Sequence, residues 1–386
     1  MQLQDKKNKI VYCIPALYLA GGMERVLTIK ANYLSEHFGY DITIIITDGK
    51  GKPFFYPLSD RIKVINLDIN FEELWNCSFI KKVVLYLKKQ YLYKKKLTKA
   101  LLEIKPNYTI SLLRREINFI NSIKDGSFKI GEIHINREHY RTFEEHETNF
   151  IKRIFSSYWK RTLLKELRKL DSFVVLTESD KIAWKELDNV RVIPNPLSFQ
   201  PTKTSPLIEK RIIAVGRYCH EKGYDNLLKA WSLIQYECKD WTLSIFGDGD
   251  RSYYNNIIEQ LGIDEKRCIL NGKTSDIESE FCKSSFSVCS SRFEGFGLVI
   301  AEAMACGLPV ISYDCPWGPR SIIKNGIDGV LVENGNIKEL ASEILKMSQD
   351  SEKKIKMGRN ARENIQRFNI DSIAKQWVDL FNDLKV

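Results

Sequence analysis

The sequence predicts an α/β protein made of two doubly wound domains. Three observations carry that prediction. The 386 residues suffice for two cores of ordinary size. Short β-branched runs alternate with helix-length segments, the pattern of parallel sheets covered by helices. The pattern also restarts after a break at Pro194-Asn195-Pro196, followed by Ser198, Pro201, Thr202, Thr204, Ser205 and Pro206. The break separates a domain of residues 1–196 from one of residues 207–369.

Composition bounds the class. With 44% hydrophobic and 28% charged residues the chain reads as soluble and globular, and no apolar run approaches transmembrane length. The charges of Met1–Lys9 precede no apolar core of the kind a signal peptide needs. Nine scattered cysteines without a C-x-x-C pair suggest reduced thiols, hence a cytoplasmic protein. The net charge of +10 is uneven: residues 1–196 hold 34 Lys and Arg against 23 Asp and Glu, and the remainder 25 against 26. A basic first half could meet nucleic acid, an anionic membrane or an anionic substrate. No nucleic-acid-binding motif accompanies it.

In the first domain, the strand-like run Lys9–Ile14 ends at Pro15, and Gly21-Gly22 precede a helix from Met23 to about Phe38. The two glycines suit a tight turn or a close approach of backbone to phosphate. A dinucleotide G-x-G-x-x-G is absent. Asp41–Thr47 and Ile62–Ile65 read as strands. Phe79–Leu102 reads as a helix with eight lysines between Lys81 and Lys99 and no acidic residue among them. Ile80, Val84, Leu87 and Tyr91 recur at helical spacing. Either they face the core beneath a solvated lysine face, or the helix, with Tyr86, Tyr91 and Tyr93, lies on an anionic bilayer. Strands at Tyr108–Leu113 and Lys129–Ile135 follow, the second running into Asn136-Arg137-Glu138-His139-Tyr140. Thr148–Leu170 is a basic helix; Ser172–Leu176 and Val190–Ile193 are strands around a helix at Ser179–Leu187.

The second domain opens with a strand ending at Gly216, then Arg217, with Lys222-Gly223 at the head of a helix. Arginine offers a planar fork to phosphate oxygens and lysine a compact charge. Trp241–Phe246 leads into Gly247-Asp248-Gly249-Asp250. Its two aspartates have metal-ligand spacing, but they sit in a glycine-bracketed strand end, which favours a turn over a metal site. A further strand ends at Asn271-Gly272-Lys273. Phe286–Ser290 delivers the densest stretch, Ser290–Pro309: Glu294, Gly295 and Gly297 in a loop, then a helix at Leu298–Cys306 carrying Glu302 and closed by Gly307 and Pro309. The helix start offers free N–H groups and a positive dipole end to an anionic or hydroxyl-rich ligand. The two glutamates need not face each other, so they do not read as a glycosidase pair. Val310–Ser312 is a strand, Asp314–Arg320 a rigid turn, and the chain is helical from Ile337, ending in a helix at about Ile370–Leu384.

E-G-F-G-L-x-x-x-E from Glu294 to Glu302, followed by A-M-A-C-G-L-P-V-I to Ile311, resembles the signature of the retaining glycosyltransferases of family 4. Gly21-Gly22-Met23-Glu24-Arg25 resembles their G-G-x-E-R, Glu138-His139 their E-H, and Gly216 to Gly223 their G-R-x-x-x-x-K-G. Gly247-Asp248-Gly249 resembles their G-x-G turn. The Asp314-Cys-Pro-Trp-Gly-Pro form resembles members that build surface polysaccharides or lipid-linked oligosaccharides. The likeness spans nearly the whole chain and is most specific from Arg211 to Arg320.

That resemblance implies the GT-B fold: two Rossmann-like domains facing across a cleft, the last helix (370–386) crossing back to the first. It implies transfer, with retained configuration, of a hexose or N-acetylhexosamine from a nucleotide diphosphate sugar, expected to be a UDP-sugar, to a hydroxyl of a glycan or lipid-diphosphate-linked acceptor. The first domain would hold the acceptor and the second the donor. Arg217 and Lys222 would neutralise the diphosphate, Glu294 hold the sugar, Glu302 the ribose hydroxyls, and His139 the donor sugar; His134 is the other candidate for the last role. The donor would also meet Gly21, Gly22, Gly216, Gly247, Gly249, Gly272, Lys273, Gly295, Phe296, Gly297, Leu298 and Val299. No metal and no cofactor are expected, and the enzyme would work in the cytoplasm, on the inner membrane face. A non-catalytic membrane-binding partner of a transferase complex and a GT-B nucleotide-sugar epimerase are the competing readings.

Overall fold

A computed structural model of the chain describes residues 8–75, 77–137, 140 and 161–385, apart from the side chains of Phe79 and Ile80. Of the basic helix expected at 148–170, residues 148–160 lie outside the described residues. The chain divides into two compact units, residues 1–196 with 370–386 and residues 197–369.

The first unit is built on a seven-stranded parallel sheet: β1 (Lys9–Ile14), β2 (Asp41–Ile46), β3 (Lys63–Asn66), β4 (Tyr108–Ser111), β5 (Phe128–Glu132), β6 (Ser172–Val175) and β7 (Val190–Val192). Its order is β3-β2-β1-β4-β5-β6-β7. β1 and β2 pair in register from Lys9↔Asp41 to Ile14↔Ile46, and all but their first residues are buried. Near-continuous apolar runs suit strands covered by helices on both faces. The strand order reverses at β1 and β4, so the carboxyl ends of these two strands flank the unit's topological switch point. Two strands end earlier than their apolar runs suggest. Leu113 takes a positive φ of 51° where β4 closes, and the buried Glu116 carboxylate collects the Ser111 hydroxyl at 2.7 Å and the N–H groups of Arg114 and Arg115 at 3.2 and 3.1 Å. β5 stops at Glu132, whose side chain is taken up by Lys30.

Lys30, on the Gly22–His37 helix, donates to both Glu132 oxygens at 2.6 and 2.5 Å, and both side chains are almost fully buried. The ammonium lies 3.9 Å from the centre of the Trp377 ring. Trp377 belongs to the C-terminal helix Ile370–Asp383, which packs on the Gly22–His37 helix. Phe381 of the same helix stacks on Tyr108 at 4.5 Å, and the Tyr108 hydroxyl donates to the Phe381 carbonyl at 2.7 Å. The last helix is therefore an integral part of the first unit.

The second unit holds a six-stranded parallel sheet: β8 (Arg211–Val215), β9 (Thr242–Phe246), β10 (Cys268–Asn271), β11 (Phe286–Cys289), β12 (Val310–Tyr313) and β13 (Gly329–Val332), in the order β10-β9-β8-β11-β12-β13. Its switch point lies at β8 and β11. Trp231, Phe286 and Tyr313 are fully buried in its core. The Asp314–Arg320 segment runs into a short helix, Pro319–Ile322, because proline suits a first helical position. No helix among the described residues is long and apolar enough to cross a membrane.

The helix Phe79–Ile104 corrects one of the two sequence expectations for it. Val84, Leu87 and Tyr91 do not face the core; they are 48, 62 and 72% exposed. The core face is made by Tyr93, Leu97, Ala100 and Leu101, with Leu85, Tyr86 and Ile104 beside them. The helix is apolar on two sides, and helical spacing alone does not say which stripe is buried.

Candidate functional site

At the switch point of the second sheet, two loops are locked together by backbone. β8 is followed by a short 3-10 turn, His220–Lys222, and Gly223 then takes a φ of 60°. A Cβ on Gly223 would stand 2.2 Å from the Ser290 carbonyl oxygen at the end of β11. The close approach is sealed by the Ser290 hydroxyl, which donates to the Lys222 carbonyl at 2.9 Å. Arg292 adds a clamp: its guanidinium donates to both Asp225 oxygens at 3.0 and 2.7 Å and to the His220 carbonyl at 2.6 Å. Gly223→Ala must strain the backbone and push carbonyl against methyl. We expect it to cost about 2–3 kcal/mol and to lower the melting temperature by ~5–10 °C, readable by calorimetry; an unchanged melt would refute this packing.

The locked loops bring Lys222 Nζ to 2.5 Å from Glu294 Oε1, which also accepts from the Ser291 hydroxyl at 2.7 Å. The two side chains are 19 and 13% exposed. Burial alone would depress the Lys222 ammonium, but the Glu294 carboxylate outweighs it, so the ammonium is held above its ordinary value. Lys222 therefore remains a cation throughout the physiological range. The thiol of Cys289, buried alongside, is pushed up by burial and then by Glu294. Behind Glu294 runs the Asp314–Arg320 segment: Trp317 bridges Glu294 through the backbone, and a Cβ on Gly318 would meet the Phe296 carbonyl at 2.6 Å and the Glu294 Cβ at 2.9 Å.

The remaining expected residues lie along the carboxyl ends of the same sheet. Arg217 follows β8, is exposed, and makes no hydrogen bond or ion pair with a described residue. Gly295 and Gly297 border the helix Leu298–Ala305; Gly297 caps it at a φ of 95°. Leu298 and Val299 open the helix half-buried, and Glu302 sits one turn in, 4% exposed. The Phe296 ring is buried edge-on against Phe368 at 5.2 Å, so only its backbone is left for a ligand. Gly247 packs so tightly on β8 that a Cβ would fall 1.9 Å from the Gly216 carbonyl oxygen. Gly249, Asp250, Arg251, Ser252, Asn255 and Leu270 line a cavity of about 440 Å³ at the β9 and β10 ends. Gly272 and Lys273 follow β10 directly, Lys273 exposed. Asp248 accepts from the Gly249 N–H at 2.9 Å, and Asp250 accepts from the Ser252 N–H and hydroxyl at 2.9 and 2.7 Å. Both aspartates thus shape the turn.

In the first unit, Gly21 and Gly22 stand at the head of the Gly22–His37 helix, and the Glu24 carboxylate folds over Gly21, where a Cβ would be 2.0 Å from its Oε2. Burial pushes the Glu24 carboxyl up, against the pull of its own N–H, Arg114 and His134. His134 lies with Nε2 3.2 Å from Glu132 Oε1. His139 lies outside the described residues.

Sequence reasoning missed Ser291, the Asp225–Arg292 clamp and the brace from Trp317-Gly318. The Asp314-Cys-Pro-Trp-Gly-Pro form is visible in the sequence, but only its parallel bridge to Glu294 connects it to the site.

Residues 199–364 match the family described as Glycosyl transferases group 1. An uncharacterized glycosyltransferase of Haemophilus influenzae is 29% identical over 96% of this chain and 99% of its own length. The poly(ribitol-phosphate) alpha-N-acetylglucosaminyltransferase of Staphylococcus aureus is 28% identical over 66% of this chain and 50% of its own. Among solved structures, a mutant of S. aureus TarM in complex with fondaparinux, alpha-GlcNAc-glycerol and UDP superposes with a TM-score of 0.76 at 18% identity, covering 97% of this chain and all of that one (100%). Residues 199–364 thus carry the likeness to the glycosyl transferases group 1 family, and the chain has the GT-B fold of these solved structures.

Proposed function

We propose that the enzyme moves a hexose or N-acetylhexosamine from a UDP-sugar, with retained configuration, to a hydroxyl of a cell-surface glycan or lipid-linked glycan. The observation that carries the reading is the Lys222–Glu294 pair at the switch point of the family-matched sheet. Breaking the bond from the anomeric carbon to the diphosphate oxygen puts negative charge on the leaving group and positive charge on the sugar ring. Lys222, with the open guanidinium of Arg217, opposes the first; Glu294 favours the second and accepts from sugar hydroxyls. The helix start at Gly297-Leu298 adds N–H groups and dipole. Glu302 takes the ribose hydroxyls and His139 the donor sugar from the first unit. Attack comes from the face the diphosphate leaves, the diphosphate oxygen taking the acceptor proton. Arg217 and Lys222 supply the countercharge, and the reaction proceeds without a divalent ion.

The acceptor class rests on the relatives: one acts on poly(ribitol-phosphate), and the TarM complex holds UDP with an alpha-GlcNAc compound. Thermal unfolding with UDP, UDP-glucose, UDP-N-acetylglucosamine and GDP, each with EDTA, tests the donor and the metal-free reading. A ligand at one hundred times its Kd should stabilise by about 2.7 kcal/mol, several degrees at this size. UDP compounds should raise the midpoint and GDP should not; equal shifts with GDP, or shifts abolished by EDTA, would sink the donor or the metal-free reading.

A further inference from the structure

We propose that the outward stripe of the Phe79–Ile104 helix is a bilayer-docking surface that selects anionic phospholipid. Val83, Val84, Leu87 and Tyr91 lie along its first four turns, all exposed. Such a surface is costly to leave in water unless something apolar covers it. Apart from Lys99, which pairs with Glu103 at 3.8 Å, the lysines of the helix fall into two groups. Lys89 and Lys96 are used internally: Lys89 donates to the Ile69 carbonyl at 2.5 Å and to Glu73 at 2.9 Å, Lys96 to the Leu67 carbonyl at 2.6 Å. Lys81, Lys82, Lys88, Lys94 and Lys95 are exposed, and no hydrogen bond or ion pair engages their ammonium groups among the described residues. Their long stems let the charges reach headgroups while the aliphatic stripe enters the acyl boundary.

Position argues for the same partner. The helix begins at the carboxyl end of the first sheet, where loops after β1, β2 and β3 leave more large apolar groups exposed: Leu19, Phe54, Phe55 and Trp75. These loops are tied together, Phe55 N–H to the Leu17 carbonyl at 2.9 Å and the Tyr18 hydroxyl to Glu72 at 2.6 Å. Aromatic and aliphatic side chains, with lysines around them, match the boundary of an anionic leaflet and not a neutral one. The lysines' excess is what favours a lipid surface over a second copy of the chain, whose identical patch would meet it with like charge.

The test is cosedimentation of the full chain with phosphatidylglycerol–phosphatidylcholine vesicles against pure phosphatidylcholine. Binding should require the anionic lipid and weaken with salt. Leu87→Glu/Tyr91→Glu should lower partitioning at least about tenfold, and Lys81→Glu/Lys88→Glu by about tenfold or more. The charge-matched Lys239→Glu/Lys266→Glu, on the second unit, should stay within about twofold of wild type. Equal binding to neutral vesicles, or stripe variants that bind like wild type, would overturn the proposal. So would self-association without lipid that Leu87→Glu/Tyr91→Glu abolishes. UDP-sugar turnover in lipid-free solution reports separately on the proposed reaction: it should be the same in Leu87→Glu/Tyr91→Glu as in wild type, and a drop there would overturn a stripe that only docks.

Discussion

Lys222→Ala should lower the rate of sugar transfer about a thousandfold, roughly 4 kcal/mol of transition-state stabilisation. The loss belongs in kcat, with a smaller change in KM. The ammonium already has a partner in Glu294, and in the proposed reaction its interaction with the diphosphate would strengthen only as charge develops there. Glu294→Gln should cost a similar factor, because it keeps shape and the Ser291 contact but removes the charge that favours a cationic ring. The two losses should not add, since the residues act as one unit at 2.5 Å. Because Glu294 raises the Lys222 ammonium above its ordinary value, no alkaline limb below about pH 10 should arise from Lys222. Steady-state kinetics of the two single variants and the double variant decide it. Full activity in either single variant, or losses confined to KM, would remove the mechanism.

The pair also alters the picture of the donor grip. From the sequence, Glu294 and Lys222 stand at separate places along the ligand, one for sugar and one for diphosphate. In the proposed reaction their ion pair would put both groups at the bond being broken, where the ring's positive charge and the diphosphate's negative charge develop side by side.

What was legible in the sequence follows physical lines. Strands of doubly covered sheets announce themselves as apolar runs, so Lys9–Ile14 and Asp41–Ile46 were readable almost to the residue. Glycines with positive φ or forbidden Cβ positions were readable as turns; Gly223 and Gly247 were singled out, though not that each rests on a neighbouring strand's carbonyl. The Phe79–Ile104 helix was not readable in orientation, because two apolar stripes share one periodicity and only Tyr93, Leu97 and Leu101 meet the core fully. Long-range polar contacts leave no local trace. Nothing near Arg292 points to Asp225, sixty-seven positions earlier, and nothing near Lys30 points to Glu132.

Lys30→Ala should destabilise the first unit by about 3–5 kcal/mol and lower its melting temperature by roughly 10 °C or more. Removing the ammonium strands the Glu132 carboxylate in a nearly dry site beside Trp377. Burial by itself would raise the Glu132 carboxyl; Lys30, then His134, reverse that and hold it at about 2. Its folded value thus lies below the unfolded one of about 4.3, so the stability it contributes is present above pH ~4.3 and is lost as pH falls towards 2. The drop of roughly two units corresponds to about 3 kcal/mol, in line with the cost of breaking a buried pair. Burial also lowers the Lys30 ammonium, which Glu132 only partly restores, so the pair as a whole carries a desolvation penalty. A double replacement, Lys30→Met with Glu132→Leu, should therefore recover most of what either single change loses. Acid unfolding followed by circular dichroism separates the cases: the wild type loses stability between pH ~4.3 and 2 through this carboxylate, while Glu132→Gln has no such contribution to lose. Were Lys30→Ala to melt like wild type, the ammonium would be reaching water, and the pair would not be what holds the C-terminal helix, through Trp377, to the first sheet.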